Sequence, residues 1–220
     1  MRQLHLPMRV WDAPTRLFHW LLVVLVGTSW LTQNRGWMEW HKLSGYSVLT
    51  LLLFRLAWGF LGSDTARFAR FLKSPLAALR HLSHLTQREP DYEIGHNAAG
   101  GWMVMVMLAL LLVQAVTGLF SNDDVDTEGP LTNLVSKTQS DWFSHIHDVN
   151  FNLIEGIIAL HVLAIIAYAV LKRQNLVRPM LTGKKRVPGA TRQPRMASPV
   201  LAAALLVVAA AAVAAVVRWG

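Results

Sequence analysis

Five apolar runs, at residues 17–32, 43–61, 98–120, 151–171 and 200–217, divide the chain. Each is close to the length of about twenty residues that crosses a bilayer core as a helix. Inside lipid every backbone N–H and C=O must be satisfied within the segment itself, so runs of this length read as helices and not as loops or open strands. Five transmembrane helices follow. The first run is the shortest, but the preceding "WDAPTRLFHW" extends it backwards, with Asp12 as N-cap and Pro14 in the first turn. That run is expected to be retained, since no small-residue cleavage site follows it before the aromatic stretch at 37–40. With 53% hydrophobic and 15% charged residues among 220, the chain is too apolar for an ordinary soluble domain.

The charges between the runs set the orientation. Arg2, Arg9 and Arg16 precede the first run; Arg67, Arg70, Lys73, Arg80 and Arg88 lie between the second and third; Lys172, Arg173, Arg178, Lys184, Lys185, Arg186, Arg192 and Arg195 follow the fourth. Basic segments stay on the cytoplasmic side, so the N-terminus is expected inside and the C-terminus in the periplasm. The loop between the third and fourth runs carries Asp123, Asp124, Asp126, Glu128 and Asp141 against a lone Lys137, and belongs outside. The net charge of +8 is then mostly this inside bias, and nothing points to a nucleic-acid partner.

The chain has no cysteine, which excludes disulfides, thiolate metal sites, iron–sulfur ligation and covalent haem attachment. Histidine and carboxylate chemistry remain. The segment from Arg67 to Arg88 reads as amphipathic and lying along the inner leaflet, with a short helix starting at Ser74–Pro75. His81 and His84 on it are read as a solvated interfacial face, because two histidines alone are a weak metal signal. His5 carries no signal. The last run has no polar side chain until Arg218 and reads as an anchor or packing surface.

The stretch "HDVNFNLIEGIIALH", residues 147–161, begins and ends with histidine. Fourteen residues turn a helix by about 1400°, about 40° short of four turns, and climb about 21 Å. His147 and His161 therefore share one face near opposite sides of the membrane. His145 is about 160° away from His161 and falls on the other face. His19, near the inner start of the first helix, and His41, at the outer start of the second, lie at complementary depths. Two cross-helix pairs result: His41 with His147 outside, His19 with His161 inside. Two imidazoles on facing helices, with no thiol or carboxylate to complete a tetrahedral set, suit the axial positions of haem iron. Gly27, Ser44, Gly45 and Gly156 leave room beside these ligands for a bulky planar group. Arg55 lies fourteen residues after His41, on the same face and at the inner depth; it either pairs with a haem propionate or snorkels to the inner interface. His96, before the third helix, either touches a propionate, lines a quinone pocket or caps "GHNAAGG".

The stretches "VWDAPTRLFHW", "HKLSGYSVLTLLLFRLAWGFLGSDTARFARF", "GHNAAGGWMVMVMLALLLVQAVTGL" and "HDVNFNLIEGIIALHVLAIIAYAVLKRQNLVRPMLTGKK" together resemble the bacterial cytochrome b561 family, which includes the b-type cytochrome subunits of nickel–iron hydrogenases. The resemblance covers about residues 9–186. It implies an all-α, integral membrane four-helix bundle binding two non-covalent haem b groups, with ligands at His19, His41, His147 and His161. Asp148, Phe151, Asn152 and Ala98 depart from the family pattern; they touch the packing of the outer pocket and leave the ligands intact. Residues 187–198 are then a basic linker, and residues 199–220 an additional C-terminal transmembrane helix to which the resemblance does not extend.

The resemblance also implies a place in a respiratory chain of the bacterial inner membrane. One end would exchange electrons with quinone or quinol, the other with a periplasmic redox protein such as a cytochrome c, a hydrogenase or a reductase. The acidic residues 123–128 would suit a basic partner. Two competing readings use the same residues differently. A stand-alone quinone-linked oxidoreductase, for example one oxidising superoxide, would turn over without a partner, and a metal or proton transporter would use the histidines as ion ligands or relays.

Overall fold

The computed structural model describes residues 5–83, 93–188 and 192–219; Arg2, His84, Arg88, the side chain of His5 and residues 189–191 of the expected linker lie outside them. In chain order the elements are β1 (His5–Arg9), α1 (Ala13–Asn34), α2 (Met38–Leu61), α3 (Phe68–Phe71), α4 (Pro75–Ser83), α5 (Ala98–Phe120), α6 (Lys137–Leu171), α7 (Val177–Thr182), β2 (Lys184–Pro188) and α8 (Pro199–Trp219). Helices α1, α2, α5, α6 and α8 are long and apolar enough to cross a membrane. The chain is thus an all-α, multi-pass membrane protein, and large apolar side chains such as Val24, Leu163, Val170 and Val207 stand exposed as lipid requires.

The ends of these helices follow local chemistry. Asp12 caps α1, its Oδ1 accepting the Thr15 N–H at 2.7 Å, which satisfies one of the amides that a first turn leaves open. Helix α6 starts fourteen residues before the apolar run it contains. Hydropathy marks where lipid begins and not where a helix begins; here Ser136 and Gln139 form a reciprocal box, Ser136 N–H donating to Gln139 Oε1 at 2.9 Å and Gln139 N–H to Ser136 Oγ at 3.3 Å. At 35 residues α6 is about 52 Å long, against a hydrocarbon core of about 30 Å.

The pairing of β1 with β2 has no counterpart in the sequence reading. β1 and β2 pair antiparallel, with Leu6 opposite Val187 and Met8 opposite Lys185. Gly183 makes the junction: at φ +77° it ends α7, its N–H donating to Pro179 O, and its own carbonyl accepts the Val10 N–H at 2.8 Å. A Cβ there would lie 2.8 Å from the Trp11 carbonyl oxygen, so both the backbone angle and the space call for glycine.

The chain divides into two compact units. One comprises Met1–Leu17, Ala57–Val106 and Ile158–Ala202. In it Trp58, fully buried, donates its indole N–H to Asp12 Oδ2 at 3.2 Å, so the residue that caps α1 also fixes the end of α2. The other comprises Phe18–Leu56, Met107–Ile157 and Ala203–Gly220. Its core joins Leu49 of α2, Leu119 of α5 and Val213 of α8, with Tyr46, Leu53 and Leu112 packed around them. The last helix is therefore a packing element of that unit.

Candidate functional site

In the second unit, His41 stands on the first turn of α2 and His147 on α6, with ring centroids 6.3 Å apart and planes at 76°. The Nδ1 of His41 lies 2.9 Å from the carbonyl oxygen of Ser29 on α1, and the Nδ1 of His147 lies 2.9 Å from the carbonyl oxygen of Gln114 on α5. A carbonyl can only accept, so each Nδ1 carries the proton and each Nε2 is left with a lone pair. This is how a protein prepares imidazole as a metal ligand: the nitrogen away from the metal donates to a fixed acceptor, which sets tautomer and ring orientation.

The separation agrees with that chemistry. A metal–imidazole bond of about 2 Å on each side, plus roughly one ångström from each nitrogen to its ring centre, gives about 6 Å between centroids. Among the described residues no group of three or more His, Cys, Asp or Glu side chains is arranged around a common point. Two imidazoles alone cannot complete a tetrahedral site, whereas a porphyrin brings its own four equatorial nitrogens and needs two axial ones. The donor set fits haem.

The surroundings hold both rings in place. Ser44, buried one turn after His41, donates to the His41 carbonyl at 2.9 Å and pairs with Ser29 Oγ at 2.7 Å, so the helix that carries the ligand is tied to the residue that orients it. Asn150, one turn beyond His147, donates to Leu110 O at 3.0 Å and to Gln114 Oε1 at 2.7 Å, locking α6 onto α5. Thr117 Oγ1 lies 3.2 Å from His147 Nδ1. Gly118 leaves the ring its space; a Cβ there would stand 2.9 Å from His147 Cε1. Next to Gly27, Gly45 and Gly156 an added Cβ would meet nothing within 4 Å. His145 is exposed and His147 half-buried, as the helical faces require.

His19 and Arg55 belong to the same unit and His161 to the other. His19 is half-buried on α1, edge-on to Trp20 at 4.9 Å, and His161 is half-buried on α6. Arg55 is 2% exposed, its side chain covered by protein.

In the first unit, His96 sits between the rings of Trp11 and Phe71, at 4.6 and 4.7 Å. It does not cap α5. That role belongs to Asn97, whose Oδ1 accepts the Gly100 N–H at 2.8 Å, because a short amide side chain reaches back to the first turn where an imidazole does not. His81 also departs from expectation. Instead of facing solvent it meets the Tyr168 hydroxyl at 2.5 Å, with the two rings 12° from parallel. Tyr168 is buried on α6 and needs partners for its hydroxyl; Asn97 Nδ2 donates to it at 2.6 Å, and His81 Nε2 is its second partner.

The acidic loop after α5 is more ordered than a run of like charges suggests. Asp123 accepts the N–H groups of Thr127, Val125 and Asp126, which hold its carboxyl down to about 2. Lys137 pairs with both Asp124 and Asp141. Asp124 turns the chain at φ +61°.

Sequence reasoning missed Ser29, Gln114, Thr117 and Asn150. Gln114 and Asn150 did leave a signal, as amides inside or beside apolar runs, but the carbonyls of Ser29 and Gln114 leave none. Comparison with known proteins gives a family model described as prokaryotic cytochrome b561, which matches residues 10–183. A protein of Rhizobium leguminosarum bv. viciae, described as a probable Ni/Fe-hydrogenase B-type cytochrome subunit, is 22% identical over 210 residues, covering 80% of this chain and 87% of the relative. No solved structure matches.

Proposed function

Because the chain belongs to the prokaryotic cytochrome b561 family, whose members are membrane cytochromes that bind haem b and transfer electrons, we propose that it carries electrons between the quinone pool of the bacterial inner membrane and a periplasmic redox protein. The observation that supports this most is the pair His41 and His147, 6.3 Å apart with each Nδ1 committed to a backbone carbonyl. These two residues would hold the outer haem.

By their positions in the sequence, His19 and His161 would be the ligands of a second haem nearer the inner side. Arg55, buried on α2, would pair with a propionate, since a carboxylate is the natural counter-charge for a guanidinium inside a span. Haem held by two imidazoles supplies a one-electron couple with no open iron position, which suits outer-sphere transfer. The chain's own part is to orient the four imidazoles, to exclude water with apolar helix faces and to keep the rings fixed through the redox change. His96, held between Trp11 and Phe71, belongs to the quinone or propionate surroundings of the inner end. The N-terminus faces the cytoplasm and the C-terminus the periplasm, following the basic residues. The name of the Rhizobium relative favours a hydrogenase-type partner.

The test is a dithionite-reduced minus oxidised visible spectrum of the purified protein with pyridine haemochrome quantitation. Two b-type haems per chain are expected. One would remove the inner pair from the assignment, and none would overturn the reading and favour an ion transporter. Steady turnover by the purified chain without any partner would replace the electron-carrier reading by a stand-alone oxidoreductase.

A further inference from the structure

Away from the histidines, four arginines gather where α2 ends and α8 begins. The segment leading into α8 is stitched to the loop after α2. Asp64 N–H donates to Arg195 O and Arg195 N–H to Asp64 Oδ2, both at 3.0 Å, and Ala197 N–H donates to Ser63 Oγ at 2.9 Å. This closes a recess of about 420 Å³ lined by Asp64, Arg67, Arg195 and Ser198, with Leu61 and Leu201 on its apolar side. A second hollow of about 280 Å³ shares Asp64 and Arg195 and continues past Arg70 and Arg192. Four arginines and one aspartate therefore line the two hollows. That carboxylate is already engaged by the Arg195 amide, and Arg70 approaches it only to 4.0 Å. Arg67 is held in position by its Nε–H donating to Gly62 O at 2.9 Å.

The position of the recess says what kind of anion it suits. Leu61 is the last residue of one membrane-spanning helix and Pro199 the first of another, so the arginines stand at the level of lipid headgroups. On the lipid side of them Phe60, Leu61 and Val200 are exposed. An arginine cluster over an apolar rim complements a phosphate that carries acyl chains; a free anion has no use for the rim. We propose that this recess binds an anionic phospholipid, its phosphodiester gripped by Arg67, Arg70, Arg192 and Arg195 and its chains lying along Phe60, Leu61 and Val200. The site rests on the membrane fold alone and is independent of haem.

The test uses the full-length protein, delipidated in neutral detergent, and compares phosphatidylglycerol with phosphatidylcholine by native mass spectrometry. Phosphatidylglycerol should bind about tenfold more tightly, and the double variant R192Q/R195Q should lose most of that preference. Arg218→Gln, which removes a charge at the far end of α8, should retain it. Asp64→Asn, which relieves the competing carboxylate yet keeps an acceptor for the Arg195 amide, should bind phosphatidylglycerol more tightly; it carries the test alone if the double variant does not fold. Equal binding of the two lipids, an undiminished preference in R192Q/R195Q or no gain in D64N would overturn the proposal. Complete displacement by millimolar inorganic phosphate would overturn it in favour of a free-anion site.

Discussion

Replacing Gly118 by alanine tests whether the His147 ring is as tightly placed as the geometry says. The new Cβ would lie 2.9 Å from Cε1 and 3.2 Å from Nδ1 of that ring. Carbon atoms rest comfortably at about 3.5–4.0 Å, so the shortfall is at least about 0.6 Å. The ring has no easy retreat, because its Nδ1 is bonded to the carbonyl of Gln114, one turn before Gly118 on α5, and Asn150 ties α6 to α5. Metal–ligand distances tolerate only about 0.2 Å. Overpacking of this kind costs about 1–3 kcal/mol, which is about 5- to 150-fold in outer-haem affinity if ligation bears all of it. Val207→Ala is the control, since that side chain stands exposed on α8, away from the histidines. Pyridine haemochrome quantitation and redox titration of the two variants should show one haem weakened or shifted in potential in G118A and both intact in V207A. A G118A protein with full haem and unaltered potentials would refute the placement of the ring.

Other expectations follow from single contacts. His147→Ala should remove the outer haem and His145→Ala should spare it, read from the difference spectrum; the opposite result would show that the helical-face assignment is wrong. Asp12→Ala loses a cap worth about 1 kcal/mol and leaves the buried Trp58 N–H without its acceptor for about 1–3 more, so thermal unfolding in detergent should show a loss of about 2–4 kcal/mol, with Asp12→Asn losing much less. Asp123 has its carboxyl lowered from 3.8 to about 2, so its hold on the loop is fully present above the ordinary carboxylate value and disappears as pH falls through about 2. Hydrogen exchange at Val125, Asp126 and Thr127 should stay slow at pH 4 and quicken below about 2.5; quickening already at pH 4 would contradict the assignment.

The five spans were legible because lipid leaves the backbone no alternative to helix, and the Asp12 cap was legible because the cue is local. The start of α6 was not, since the polar stretch from Lys137 to Asn150 has no apolar signature and its helix is set by the Ser136–Gln139 box. The β1–β2 ladder was hidden in short segments that carry basic residues and prolines and pair across most of the chain. His81 was misjudged for a related reason: its partner, Tyr168, is eighty-seven residues away. Spacing brought His41 and His147 together correctly, but it could not reveal which ring nitrogen each offers. That depends on main-chain atoms of other helices.

Those main-chain acceptors bear on how such a site can drift. A ligand oriented by a carboxylate is lost to one substitution at the carboxylate's position. Here the atoms that fix both outer imidazoles are the carbonyl oxygens of residues 29 and 114, which every amino acid supplies. A substitution at either position therefore leaves the acceptor itself in place and acts only through helix packing, since Ser29 Oγ pairs with Ser44 and Gln114 Oε1 with Asn150. Selection on ligand orientation then acts on helix packing and is spread over residues such as Ser44 and Asn150, so distantly related chains can keep the same imidazole geometry while sharing little sequence around it.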